Sequence, residues 1–428
     1  MDWQRVIGWL MAAWAVGAGC FGQLGAQMWR DSTYGFVIDG QPWQLRLTGL
    51  REFLPGDASC GTPAQWAHNN TDLVEFGGVY YMGLRVAPTH FASRKTELQV
   101  FKSHDLVAWE CTHRLNLEAD IREPRFLVWG DTLYLYCFEG GRNPLRFQPR
   151  KLWGLTFTES SGWSEPFDTG LDGWVPWRIR VQGGVPYLSA YYGVGLYSGG
   201  QTCEIRLFTT EDARHWQPIS EAPQVKAPAA EEGEFVFAPD GTLWATVRLE
   251  GGGAMLATAT GDYSQWQTLH LPQKYDSALL LEHQGQLFLI ARRNMDGDFA
   301  KNPRWLPRGL RVPYNLLRYS LTRKRTALYH IHLQSRQITP LLDLPGWGDT
   351  AFPGLVRLPD GRYYLVNYSS PLGGRDRSWI GDSCVLRIST ARGCSLYIKP
   401  LPQPIASQLP VHQNTPPNRL KPVCARTL

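Results

Sequence analysis

Along most of this chain apolar and polar residues alternate with a period of two, and short glycine turns interrupt the alternation. Six stretches show both features: VEFGGVYYMGLR, FLVWGDTLYLYCF, IRVQGGVPYLSAYY, FVFAPDGTLWATVR, LLLEHQGQLFLIARR and LVRLPDGRYYLVNY. Alternation marks a strand with two different faces, and two such runs around a glycine turn mark a hairpin. The turn glycines Gly78, Gly130, Gly184, Gly241, Gly285 and Gly361 lie roughly fifty residues apart except at the last step, a period that belongs to propeller blades or solenoid units. Helical periodicity is nearly absent. Several hairpins continue into a third strand, and three polar turns share [Ser/Thr]-x-Asp-x-x-x-Trp, in Ser103/Asp105/Trp109, Thr210/Asp212/Trp216 and Thr260/Asp262/Trp266. In such a turn the Asp accepts backbone N–H groups and the Trp fills the space between sheets, which removes these aspartates from the catalytic candidates.

Six four-stranded sheets set radially bury both faces of each sheet and leave only short edges. The predicted fold is therefore all-β, a six-bladed β-propeller over residues 34–400, and the hairpin YGFVIDGQPWQLRLTG ahead of the first module is available to close the ring. Residues 401–428 are too Pro-rich to pack and read as a tail. The first 26 residues have the layout of an export signal: one Arg, an apolar run from Val6 to about Gly19, then small residues to Ala26. Cys20 after Gly17-Ala18-Gly19 admits lipoprotein processing, although Gly17 stands where a lipobox has an aliphatic residue. An uncleaved anchor is the other reading, on an apolar run that is short for a span. The expected location is secreted or periplasmic, with no membrane contact beyond that N-terminal anchor.

Composition agrees with aromatic strands joined by glycine turns: 18 Trp, 18 Tyr, 17 Phe and 43 Gly among 428 residues. A net charge of +5 is small for this length, and no Lys/Arg block is punctuated by stacking aromatics, so nucleic acid is not an expected partner. Eight cysteines are scattered without C-x-x-C spacing or a nearby His pair, which argues against zinc. No cofactor is expected. Cys137 reads as a small core residue, and Cys384 and Cys394 could pair across neighbouring strands in an oxidising compartment.

In a propeller the innermost strand of each blade begins near the axis, so the residues just ahead of each hairpin line one funnel. Those slots hold Thr71-Asp72, Asp120/Arg122/Glu123 in DIREPRF, Pro176-Trp177-Arg178, Glu231-Glu232-Gly233-Glu234, Tyr275-Asp276 and Gly348-Asp349-Thr350. Each alone reads as the solvated start of a strand; together they make a ring of acids with Arg and Trp among them. An insert between Asn294 and Ala327 carries Lys301, Arg304, Arg308, Arg311, Arg318, Arg323, Lys324 and Arg325 and is expected near the funnel mouth, where long loops in compact rings often act as lids.

From about residue 67 to 390 the order of NNTDLVEFGGVYYMGLR, DIREPRF, WVPWRIR, EEGEFVFAPDGTLWATVRLEGG, GWGDTAFPGLV and NYSS resembles the uncharacterised bacterial, exo-sialidase-like branch of the sialidase superfamily. Several five-bladed glycosidase families have similar strings, and that propeller is the alternative fold. The resemblance implies an arginine triad that clamps a substrate carboxylate, a Tyr–Glu nucleophile pair and an Asp acid/base. It assigns the Glu and one Arg to Glu232 and Arg248, another Arg to Arg293 or its neighbour Arg292, and the Arg-x-Pro arginine to Arg122. Where it calls for the nucleophilic Tyr the chain has Phe352; Tyr368, in the same blade, is expected at the other end of its hairpin.

Glycoside hydrolysis needs two carboxyl groups, one protonated and one ionised. Asp72, Glu123, Glu232 and Asp349 are the candidate catalytic acids, their mutual repulsion keeping one protonated. Asp120, Arg122, Arg178, Arg248, Arg292 and Arg293 are candidates for holding an anionic sugar, and Trp177 and Tyr368 for stacking on one. Strand alternation is expected to turn Glu232 and Glu234 to the axis and Glu231 away. Two functions stay open: a secreted glycosidase acting on a terminal acidic sugar, and a non-catalytic carbohydrate-binding or scaffolding propeller. In both the partner is a glycan or small sugar.

Overall fold

The computed structural model describes residues 31–52, 60–63, 66–143, 147–194, 196–197, 200–297, 299, 305–371, 376, 378 and 390–401. The export signal, Cys20, Lys301, Arg304, Cys384 and the tail after Leu401 lie outside them. The described strands form six antiparallel sheets of four or five strands, each sheet one blade. The fold is a six-bladed β-propeller, not the five-bladed alternative. Inner strands are Ala67–Phe76, Asp120–Trp129, Val175–Gln182, Ala230–Phe237, Asp276–His283 and Ala351–Arg357, the inner strands of blades 1 to 6 in order. Each pairs with the second strand of its predicted hairpin.

Blade 6 closes the ring. Its third strand, Thr390–Pro400, is followed outward by Gln41–Glu52 and Ser32–Ile38, so the hairpin ahead of the first module lies on the outside of the last blade. A disulfide joins Cys60, on the path from that hairpin to blade 1, to Cys111 in the outer strand of blade 1 (Glu110–Leu115). Cys394 is a buried free thiol, against the expected pairing with Cys384, because it packs with Leu365, Leu396 and Leu281 between blades 5 and 6.

The apolar core is divided into wedges between neighbouring blades. Leu73, Met82 and Phe101 of blade 1 meet Val356, Tyr364 and Val366 of blade 6; Leu98 and Val100 meet Ile121, Leu133 and Leu135 of blade 2. Both faces of a blade are thus buried, which is why its strands carry apolar residues on both. The Ser/Thr-x-Asp turns do the structural work expected of them. Asp105 accepts the N–H groups of Val107 (2.8 Å) and Ala108 (2.9 Å), and Asp212 those of Arg214 and His215 (both 2.8 Å), while Trp109, Trp216 and Trp266 are buried.

One irregularity recurs on the axis. In five inner strands the register skips two residues, between Asn69 and Asp72, Arg122 and Arg125, Glu231 and Glu234, Asp276 and Leu279, and Ala351 and Gly354. In each the first skipped residue has a left-handed backbone: Asn70, Glu123, Glu232, Ser277 and Phe352, with φ from 50° to 58°. Blade 3 skips only Trp177. A bulge bends the strand and re-aims its side chains, and a left-handed non-glycine residue costs roughly 1–2 kcal/mol, so the ring spends stability on this geometry. The bulge also breaks the alternation expected for Glu231 and Glu232.

Candidate functional site

Opposite the bulges, the second strands present a matching set. Asn69 faces Arg85, Glu231 faces Arg248, Asp276 faces Arg292 and Ala351 faces Tyr368. In an antiparallel hairpin the end of the second strand lies beside the start of the first, so Tyr368 is at the funnel end of its hairpin. That corrects the expected position at the other end.

Tyr368 is the centre of a hydrogen-bonded chain through three blades. Its hydroxyl donates to Asp349 Oδ1 (3.1 Å) and accepts from Arg292 (3.3 Å), which also donates through Nε to the Thr350 carbonyl (2.9 Å). The other oxygen of Asp349 lies 2.9 Å from Nδ1 of His90, on a loop of blade 1. Burial, the Asp349 charge and the hydrogen bond to it outweigh Arg292 and push the Tyr368 phenol up. Burial also presses on Asp349, but His90 and Arg292 outweigh it and hold the carboxyl below its ordinary value.

Arg248 is the second centre. It pairs with Glu232 and Glu250, approaches Asp276 Oδ1 at 3.4 Å, and lies over the ring of Tyr197 at 5.1 Å. Glu232 also accepts the N–H of Ser277 (2.7 Å), so the bulge of blade 4 is tied to that of blade 5. Burial raises the Glu232 carboxyl despite Arg248. Glu231 accepts the N–H of Tyr197 (2.6 Å) and is taken up to about 8 by burial, which outweighs Arg248. Glu123 reaches the same value: burial dominates, Arg125 opposes it and Glu232 reinforces it, giving about 8. Its Oε2 is buried with no hydrogen-bond partner, the environment of a carboxyl that keeps its proton.

The sequence candidates thus divide. Glu232, Arg248, Arg292, Asp349 and Tyr368 stand together, and Glu123 joins them through its electrostatic contact with Glu232 and Arg248. Arg122 donates to Asp120 and to the carbonyl of His90 (2.8 Å). Asp120 is saturated, since it also accepts from Arg85 (2.7 and 2.9 Å) and Thr96 (3.0 Å); it holds arginines and offers no free oxygen. Asp72 and Arg178 lie two residues deeper, where Asp72 faces Gly83 and Glu234 faces Thr246. There Arg178 bridges Glu234 (2.7 Å) and Asp72 (3.4 Å), and Asp72 accepts the N–H of Phe126 (2.9 Å), an ionic floor linking blades 1 to 4.

Two candidates are placed elsewhere. The ring of Trp177 lies 5.0 Å from that of Phe352 and 5.1 Å from the guanidinium of Arg125, so its faces are taken by packing on the axis and not offered to a sugar. Arg293 alternates away from Arg292 and is paired with Asp343; Arg292 takes the inner position. Phe352 caps Arg125 from a second side at 5.1 Å, which accounts for an apolar ring where the resemblance called for a phenol. The sequence reading missed His90 and Tyr197 because they lie on loops outside the hairpin repeat. It passed over Asp276, which occupied one of the six slots. The insert reaches the site: in its helix α1, Arg308–Ser320, the Tyr319 hydroxyl donates to the buried Asp276 (3.0 Å).

Among solved structures the chain is similar to a protein of unknown function from Dyadobacter fermentans (TM-score 0.55, 14% identity, 82% of this chain and 100% of that one). It is similar to the sialidase of Trypanosoma rangeli (TM-score 0.53, 11% identity, 80% of this chain and 57% of that one) and to the endosialidase of phage phi92 (TM-score 0.53, 11% identity, 94% and 77%). The chain therefore spans little more than half of the trypanosomal protein. At these identities the likeness is one of fold, a six-bladed propeller of the sialidase kind. No protein-family model matches the sequence, and no curated protein does.

Proposed function

We propose, from the premise that this is a propeller of the sialidase kind, that the chain is a glycoside hydrolase acting on a terminal acidic sugar, with Tyr368 as its nucleophile. The observation that carries the reading is the chain His90–Asp349–Tyr368–Arg292 at the funnel end of blade 6, beside the Arg248–Glu232 pair. A phenol is a weak nucleophile until a neighbouring base takes its proton, and Asp349 is already the acceptor of that hydrogen bond. Arg292 donates to the same oxygen and stabilises the phenolate as it forms.

In the first step Tyr368 Oη bonds to the anomeric carbon as its proton passes to Asp349. The glycosidic bond breaks, and the leaving oxygen takes a proton from Glu123, the carboxyl that burial holds protonated to about pH 8. In the second step Glu123, now a carboxylate, removes a proton from water, whose oxygen displaces Tyr368; the phenol recovers its proton from Asp349. The anomeric configuration is retained. Arg122 and Arg292 supply the cationic side of the funnel and suit a sugar carboxylate, while Arg248 is held by Glu232 and Glu250. The Cys60–Cys111 disulfide supports an oxidising, extracytoplasmic location.

The test is hydrolysis of 4-methylumbelliferyl glycosides of sialic acid and of glucuronic acid by the full chain and by Tyr368→Phe. Turnover by the parent, falling on the order of a thousandfold or more in the variant, is the expected result. Equal rates in the two would exclude Tyr368. Binding of the free sugars by the parent without any turnover would favour the non-catalytic propeller.

A further inference from the structure

The insert in blade 5 is not part of the propeller repeat, yet one of its side chains reaches into the site. Tyr319 stands in the last turn of helix α1 and is 8% exposed. Its ring packs against two lysines, with Lys324 Nζ 3.8 Å and Lys274 Nζ 5.1 Å from the centroid, and meets Phe299 edge-on at 5.4 Å. Arg318, one residue earlier, donates to the Phe299 carbonyl (2.8 Å) and so ties the two parts of the insert together. The phenol is fixed by this packing, and its hydroxyl donates to Asp276 Oδ2 at 3.0 Å.

Asp276 is fully buried and surrounded by cations: Arg248 Nε at 3.4 Å, Lys274 Nζ at 3.9 Å and Arg292 Nη1 at 4.0 Å. None of these distances is that of a tight bidentate pair. Arg248 is already paired with Glu232 and Glu250, and Lys274 with Glu250, so Arg292 is the cation onto which this carboxylate would move unless another group held it; the Tyr319 hydroxyl is the group that does. We propose that Tyr319 is a positioning residue for Arg292: by holding Asp276 it keeps that carboxylate from closing onto the guanidinium, so that Arg292 Nη1 stays available to the carboxylate of an acidic sugar. The insert is then part of the specificity of the funnel. This inference rests on the acidic-sugar reading above and deepens it.

The experiment is equilibrium titration of the full chain with N-acetylneuraminic acid and with its methyl ester, which removes the carboxylate charge and little else. The parent should prefer the acid. In Tyr319→Phe, which keeps the ring and its cation contacts and loses only the hydroxyl, the preference for acid over ester should fall about tenfold, the scale of one hydrogen bond to a charged group. Arg318→Ala loosens the tie between the two parts of the insert but keeps the hydroxyl, and should lower the preference less than Tyr319→Phe does. A parental acid-to-ester ratio in Tyr319→Phe overturns the proposal, and so does an equal loss in Arg318→Ala, which would make the effect one of helix packing. A parent that shows no preference for the acid overturns both this inference and the acidic-sugar reading. A preserved preference in a chain that hydrolyses nothing overturns the hydrolase reading and leaves the role of Tyr319 standing.

Discussion

Glu123 carries the pH dependence of the site. Its carboxyl titrates at about 8 in the folded chain against an ordinary 4.5. Between those values the folded state binds more protons than the unfolded one, so the stability this group contributes is full below pH 4.5 and is lost as the pH climbs through about 8. In thermal melts from pH 5 to 9, Glu123→Gln should therefore gain on the parent as the pH rises; Glu231, shifted the same way, leaves part of the slope in place. The rate should show the same group: parental turnover falls above about pH 8, and the variant is slow with no such limb. A parental rate that is flat from pH 7 to 9 would take the acid role away from Glu123. At this scale the sequence was legible where a residue stood in a repeat slot, as Glu232, Asp349 and Glu123 did. It was not legible for His90 and Tyr197, whose loops follow no period, nor for Trp177, whose burial depends on Arg125 and Phe352 from other blades.

The bulge is the element that turns a strand into part of a site. The pairs that fill it are Asn70-Thr71, Glu123-Pro124, Glu232-Gly233, Ser277-Ala278 and Phe352-Pro353. The second member is Thr, Gly, Ala or Pro each time, a signal that an alignment of the five bulged slots contains and that alternation alone hides. Reading the strands as regular sent Glu231 to the wrong side for this reason. In blade 4 the requirement is steric: a Cβ on Gly233 would lie 2.7 Å from Ile205 and 3.0 Å from the Ser189 hydroxyl, which donates to the Gly233 carbonyl (2.6 Å). Gly233→Ala should destabilise the fold by about 1–3 kcal/mol and lower turnover with it, because the backbone that shifts is the one carrying Glu232. Chemical denaturation checks the first and the hydrolysis assay the second. An alanine variant as stable as the parent would show that the bulge tolerates a side chain and that its glycine is incidental.

For the whole molecule, hairpin counting was enough to foresee six blades and a closing hairpin at the N-terminal end, because the repeat is local and the ring follows from it. The Cys60–Cys111 link was not foreseen, since neither cysteine stands in a recognisable spacing. It fastens the segment entering blade 1 to that blade's outer strand, closing a loop of 51 positions, and such a cross-link stabilises a fold by about 2–4 kcal/mol. Cys60→Ser with Cys111→Ser should lower the melting temperature, and adding reductant to the parent should do the same; unchanged melting in both would leave the link without a structural role. Blade 6 has a further consequence in time. Glu52 pairs with Arg392, 340 positions later, so a chain growing at about 5–20 residues per second waits roughly 20 to 70 seconds between making the first half of this blade and the last strand that covers it. Through that interval Trp43, Leu45 and Leu47, all buried in the finished ring, are paired only with Ser32–Ile38, and the nascent hairpin offers its other edge bare to any other chain nearby. The protein is thus most exposed to aggregation before its synthesis is complete, and its yield should depend on how that first hairpin is shielded more than on how stable the closed ring becomes.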